Sequence, residues 1–181
     1  MGELTRTGQP QDAAADTRQY LTFLVHEEMF AIGIQRVREI IEYEKVTTVP
    51  MMPDFVKGVI NLRGSVVPVI DLSARFGREI SEIHRRTCVV IIEVENDGID
   101  HVLGVVVDAV SEVLEIGPED IEPAPAFGAK IRTDFIGGMG KVNGRFVILL
   151  NVGKVLAVEE MAMLAQLADA EQPGARDTSG V

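Results

Sequence analysis

An internal repeat limits what this chain can fold into more than any other feature. PDFVKGVINLRGSVVPVIDL (53–72) lies over TDFIGGMGKVNGRFVILLNV (133–152) without a gap. Asp54, Phe55, Gly58, Gly64 and Val67 meet Asp134, Phe135, Gly138, Gly144 and Val147. Upstream, IGIQRVREII (32–41) lies over VVVDAVSEVL (105–114), which sets Val37 on Val110 and Glu39 on Glu112. The offset is 80 residues in the first comparison and 73 in the second. The second copy therefore carries a connector seven residues longer, around GPEDIEPAPAFGAK. Two similar β units of about 70 residues each follow from this spacing. Units this small, with short strands, predict compact barrels that leave few open edges.

The local texture agrees. YLTFLV, FAIGI, RGSVVPVIDL, TCVVIIEV, HVLGVVV and GRFVILLNV are short runs rich in Val, Ile and Phe, and read as strands. HEE, PMMPD, ENDGID and VNG supply the turns, with DG and NG as hairpin signals. One segment reads as helix, 158–170. EEMAMLAQLADA has no β-branched residue, and Met161, Leu164 and Leu167 recur every third position, as a helix face requires. The ends lack core residues: no Val, Ile, Leu, Phe or Met stands between Leu4 and Leu21 or between Leu167 and Val181. The expected organisation is a disordered tail over 1–18, a folded region over 19–167 and a second disordered tail over 171–181. Within the folded region, the β units are expected over 19–85 and 86–157.

Composition excludes several functions. Seventeen basic residues against 28 acidic ones give a formal charge of −11. Nucleic-acid binding needs a positive footprint, and so does adsorption to an anionic membrane. No apolar run approaches the roughly 20 residues that span a bilayer, and the start lacks a signal-peptide pattern, so a cytoplasmic protein is expected. Cys88 is the only cysteine, so no internal disulfide can form, and in CVVII it reads as a core residue. His26, His84 and His101 are scattered, with none of the spacings of a metal site. No catalytic motif is found. The glycine-rich GGMGKVNG (137–144) is followed by a strand rather than a helix and reads as a β turn. Neither a catalytic residue, a metal nor a cofactor is expected.

Arg63 is the residue that composition does not explain. It sits within GVINLRGSVVPVIDL, among Val, Ile and Leu, and its charge is permanent. The repeat supplies an internal control. Arg63 meets Asn143, so the second unit makes the same turn without arginine. The fold does not require Arg63, which points to a partner. Glu39 is a candidate carboxylate, and Val37, two residues away, is expected on the same strand face. Arginine is also enriched among interface anchors.

These residues carry a resemblance. FAIGIQRVREII, VPMMPDFVKGVINLRGSVVPVIDL, LGVVVDAVSEVLEI, PEDIEPAP, TDFIGGMG and VILLNVGKVL, in this order, resemble the CheW family of bacterial chemotaxis coupling proteins across the whole folded region. The resemblance implies two SH3-like β-barrel subdomains forming one CheW-like domain with a C-terminal helix. It implies a non-catalytic adaptor between the signalling tips of methyl-accepting chemoreceptors and the regulatory domain of a CheA-type histidine kinase. By this resemblance the receptor-facing groove includes Val37, Glu39, Gly58, Arg63, Val110 and Val113. Kinase or ring contact involves Ile121 and Phe127. The chain departs from the family at Glu122, where a basic residue often stands, which reverses any charged contact there. Two other readings are an adaptor of a non-flagellar chemosensory array and a small-molecule-binding β barrel.

Overall fold

The computed structural model describes residues 18–44, 46–96, 98–124 and 131–157. Every run read above as a strand forms one. The eleven strands described are β1 (Arg18–Val25), β2 (Glu28–Gly33), β3 (Val37–Glu42), β4 (Val56–Leu62), β5 (Ser65–Asp71), β6 (Cys88–Asn96), β7 (Ile99–Val107), β8 (Ala109–Ile116), β9 (Ile121–Glu122), β10 (Ile136–Val142) and β11 (Arg145–Leu150). Two single-turn helices follow β5 and β11: α1 (Leu72–Arg75) and α2 (Val152–Val155). The expected helix over 158–170 and the tails lie outside the described residues, except Arg18, which was expected in the tail over 1–18 and instead opens β1.

The strands form two sheets, ordered β3-β6-β7-β5-β4 and β8-β1-β2-β11-β10-β9. The first five strands of the second order correspond to the five of the first, and β9 is additional. β3, β5 and β4 of the first repeat occupy the places that β8, β11 and β10 occupy in the second. The hairpin β6–β7 fills the centre of one sheet and β1–β2 the centre of the other.

This corrects the expected division at 85/86. Each sheet takes strands from both halves of the chain. β1–β2, from the chain's start, joins β8 on one side and β11 on the other, where β2 runs parallel to β11. β6–β7 returns to the first repeat in the same way, with β7 parallel to β5. The repeat reveals which strands are alike. It carries no signal for which sheet a connecting hairpin completes.

Closure of each sheet depends on the segment that follows its edge strand. After β3 the chain crosses to the opposite edge, where Thr47 and Val59 exchange two backbone hydrogen bonds of 2.8 Å. β9 crosses to β10 in the same manner, pairing Ile121 with Gly140. Gly58 lies under the Thr47 crossing with φ +147°, and a Cβ there would sit 2.0 Å from the Thr47 carbonyl oxygen.

Three apolar clusters result. One face of β6 sends Val89 and Ile91 into a cluster with Ile60, Val67, Val69 and Val106, all of the five-stranded sheet. Its other face sends Val90, Ile92 and Val94 into a larger core shared with Phe23, Phe30 and Phe135. That is why CVVII is apolar on successive positions: both faces of the strand are covered. Ala31, Ile116, Val147 and Leu149 make the third cluster, within the six-stranded sheet.

The two repeats meet at Arg75. Its guanidinium lies 5.2 Å from the Phe55 ring centroid and 4.8 Å from that of Phe135, in cation–π range of both. Its Nε donates to the Val155 carbonyl at 2.6 Å. Phe55 and Phe135 are repeat mates, and their carbonyls accept from Asp71 and Asn151 at 2.7 Å each. Asp71 and Asn151 in turn cap α1 and α2. Asp71 is fully buried, and also accepts from the Ser81 amide and hydroxyl at 2.8 Å each.

Candidate functional site

Arg63 and Gly64 form the two-residue turn between β4 and β5, with φ of +52° and +88° and Leu62 paired to Ser65 at its base. Two consecutive positive φ angles define the turn class whose twist suits a hairpin. Asn143 and Gly144 repeat it at +52° and +78°. The Asn61 Oδ1 accepts from the Gly64 amide at 2.8 Å and steadies the loop.

From this turn the Arg63 guanidinium reaches Glu39 on β3, at the opposite edge of the sheet. Nη2 meets Oε2, and Nη1 donates to Oε1 at 3.5 Å. Two parallel contacts orient the planar group. The Arg63 side chain remains 71% exposed and that of Glu39 28%. The pair fixes the guanidinium in place while leaving much of it available to a partner. The expected Glu39–Arg63 pairing is therefore present.

The pair stands at a cleft of about 640 Å³ whose lining includes Leu62, Val67, Ile91, His101 and Leu103. Arg38, also at the cleft, pairs with Glu93 at 3.6 Å. The described residues contain no group of three His, Cys, Asp or Glu placed to hold a metal ion. No described helix is long and apolar enough to cross a membrane. Away from the cleft, the Arg132 hydrogen bonds hold the Asp134 carboxyl below its ordinary pKa. Burial, followed by the Asp71 charge, holds the Tyr43 phenol above its own.

The structure separates residues that the sequence reading grouped together. Val37 pairs with Ile92, but Glu39 pairs with Ile91, because Arg38 is an extra residue in β3. Such a bulge resets the alternation of a strand. Directly paired residues share a face. Val37 therefore lies on the face of Ile92 and packs against the shared core, while Glu39 lies on the face of Ile91, towards the cleft. The expected common face for Val37 and Glu39 is not formed.

Val110 and Val113 of β8 pair with Phe23 and Leu21, both members of the shared core. Ser111 and Glu112 bulge between them opposite Thr22. The buried Thr22 hydroxyl fills that gap, donating to the Glu112 carbonyl at 2.7 Å and accepting from its amide at 3.1 Å. Val110 is half-buried against the same core as Val37, and Val113 is 47% exposed. Gly58 is buried under Thr47. Ile121 is half-buried against the third cluster, Glu122 beside it is exposed, and Phe127 lies outside the described residues.

Ile40 was not anticipated. It pairs with Val90 on the shared-core face of β3 and is 42% exposed. Val37, Ile40, Val110 and Val113 are thus apolar residues of two edge strands that face the shared core, and two of them remain open. The missing signal was the Arg38 bulge, which no periodicity within VREI reveals.

The family model for the CheW-like domain matches residues 19–160. The chain is similar to the chemotaxis protein CheW of Klebsiella aerogenes, at 39% identity over 151 residues that cover 83% of this chain and 89% of that protein. It is similar to the chemotaxis protein CheW of Rhizobium meliloti, at 35% identity over 143 residues, 79% of this chain and 90% of that one. The crystal structure of scaffolding protein TtCheW from Thermoanaerobacter tengcongensis matches with a TM-score of 0.69 and 33% identity, over 76% of this chain and 86% of that chain. The match spans both sheets, and the chain belongs to the CheW-like family.

Proposed function

We propose that the protein is a chemotaxis adaptor that couples the cytoplasmic signalling tips of chemoreceptors to a CheA-type histidine kinase. It acts as a non-catalytic scaffold in the cytoplasm, recruited to membrane-associated receptor arrays. The observation that carries the reading is the Glu39–Arg63 pair. It holds a largely exposed guanidinium at a turn whose repeat mate uses Asn143. A feature present in one unit and absent from its copy serves something other than the fold.

The receptor contact is assigned to Glu39 and Arg63 at the cleft and to Val37, Ile40, Val110 and Val113 along the two edge strands. A helical receptor tip presents an apolar stripe and charged flanks, which suits valine and isoleucine beside an oriented arginine. Gly58 shapes this region by admitting the Thr47 crossing. Kinase or ring contact is assigned to Ile121 and the segment that contains Phe127.

Calorimetric titration tests the reading, with a receptor-tip fragment and the kinase regulatory domain as titrants. Wild type is expected to bind both, and Arg63→Ala to lose mainly the receptor fragment, by about tenfold. No binding of wild type to either titrant overturns the adaptor reading. That result would return attention to a small ligand in the cleft, whose 640 Å³ lies within the usual range for one.

A further inference from the structure

A second cleft, of about 290 Å³, opens on the six-stranded sheet, away from Arg63. Among the described residues its polar lining is Arg18, Tyr20, Gln35, Arg36 and Asn151, with no Asp or Glu. In a chain of charge −11 with 28 acidic residues, a cleft whose described lining has two arginines and no acid runs against the composition. The contrast with the first cleft is direct: there Arg38 and Arg63 are each matched by a glutamate. Arg18 and Arg36 have no ion-pair partner among the described residues. They stand at the same end of the β1–β2 hairpin, Arg18 as the first residue of β1 and Arg36 in the turn after β2, and the parallel β2–β11 pairing brings Asn151 beside them. Gly137 of the glycine-rich run borders the same cleft.

We infer that Arg18 and Arg36 receive a carboxylate from an acidic segment of a partner protein. Two guanidinium groups suit carboxylate, which they can bind through paired hydrogen bonds. Both arginines are exposed, and an exposed ion pair alone contributes only ~0–1 kcal/mol. A free anion would therefore be held weakly. A docked peptide segment adds apolar burial, and the cleft offers it: Tyr20, Ile121 and Leu150 are each half-buried there. The partner segment is thus an acidic residue flanked by apolar ones. Ile121 already belongs to the proposed kinase contact, so the inference rests on the adaptor reading and names the charge that this contact requires.

The test titrates the regulatory domain of the CheA-type kinase into wild type, Arg36→Glu and the double variant Arg18→Gln/Arg36→Gln. A receptor-tip fragment and inorganic phosphate are run in parallel, and thermal unfolding checks that the variants fold. The double variant is expected to bind the kinase domain about tenfold more weakly, and Arg36→Glu more weakly still, with receptor binding unchanged. Equal kinase binding by wild type and the double variant overturns the cleft assignment and leaves the adaptor reading standing. No kinase binding by wild type overturns both. If phosphate saturably shifts the Arg18 and Arg36 Nε–H resonances and the kinase domain does not, the cleft is a free-anion site and the partner-segment inference fails.

Discussion

Arg63 holds φ at +52°, an angle that costs most L-residues roughly 1–2 kcal/mol. Asn143 holds the same angle in the second repeat, and asparagine tolerates it far better. What Arg63 gains in return is an ion pair with Glu39. With its side chain 71% exposed, that pair is worth ~0–1 kcal/mol. Folding free energy alone does not favour arginine here. Arg63→Asn is expected to leave thermal stability unchanged or raise it by up to about 1 kcal/mol, while receptor-tip affinity falls about tenfold. Thermal unfolding followed by circular dichroism, together with calorimetry on the same variant, separates the two effects. A marked loss of stability would place Arg63 in the fold after all. This much was legible in the sequence, because the repeat set Arg63 against Asn143 and Glu39 was near enough to pair. Arg18 and Arg36 are set at one end of β1–β2 by the hairpin register, but the cleft they line was not legible, since only the return of that hairpin to the second repeat's sheet supplies Leu149, Leu150 and Asn151.

Register, rather than strand identity, is where the sequence falls silent. Burial alternates along VREIIE, yet Arg38 is extruded, so Val37 shares a face with Ile40 and Glu42 rather than with Glu39 and Ile41. The hairpins carry equivalent bulges, at Lys57 in β4 and Gly137 in β10, which are repeat mates. A bulge is decided by the partner strand and the crossing segment, and neither lies within the window that a periodicity reads. Gly58 shows the same dependence. It follows the β4 bulge, lies beneath the Thr47 crossing and has φ +147°. A glycine shared by both repeats is readable as a backbone requirement, but its burial is not. Gly58→Ala places a methyl group 2.0 Å from the Thr47 oxygen and forces a backbone angle that only glycine adopts freely. A loss of about 2–4 kcal/mol is expected, read from the urea midpoint. An unchanged midpoint would mean that the Thr47 crossing can lift off β4 without cost, and that sheet closure is not set there.

Two repeats in a sequence suggest two units that fold side by side, and at the scale of the whole molecule this chain is built otherwise. Each sheet is completed by a hairpin that the sequence places with the other half. The shared core follows the same rule: of its twenty buried residues described, nine precede position 86 and eleven follow it. Arg75 draws the halves together from the first repeat, over the Phe135 ring and onto the Val155 carbonyl of the second. A chain cut between 85 and 86 leaves residues 1–85 with β1–β2 detached from β8 and β11, and with β3 to β5 lacking the hairpin between them. Residues 86–181 keep β8 to β11 without the central hairpin that joins β8 to β11. Neither piece retains a closed sheet or a complete core, and exposed strand edges favour aggregation over folding. The two pieces made separately are expected to give collapsed amide proton spectra and no cooperative thermal transition. The intact chain is expected to unfold in a single transition, with the calorimetric and van't Hoff enthalpies equal. A dispersed spectrum from either piece alone would show that one sheet can close without its exchanged hairpin. The groove strands β3 and β8 would then belong to separable units rather than to one rigid frame that holds both for a partner.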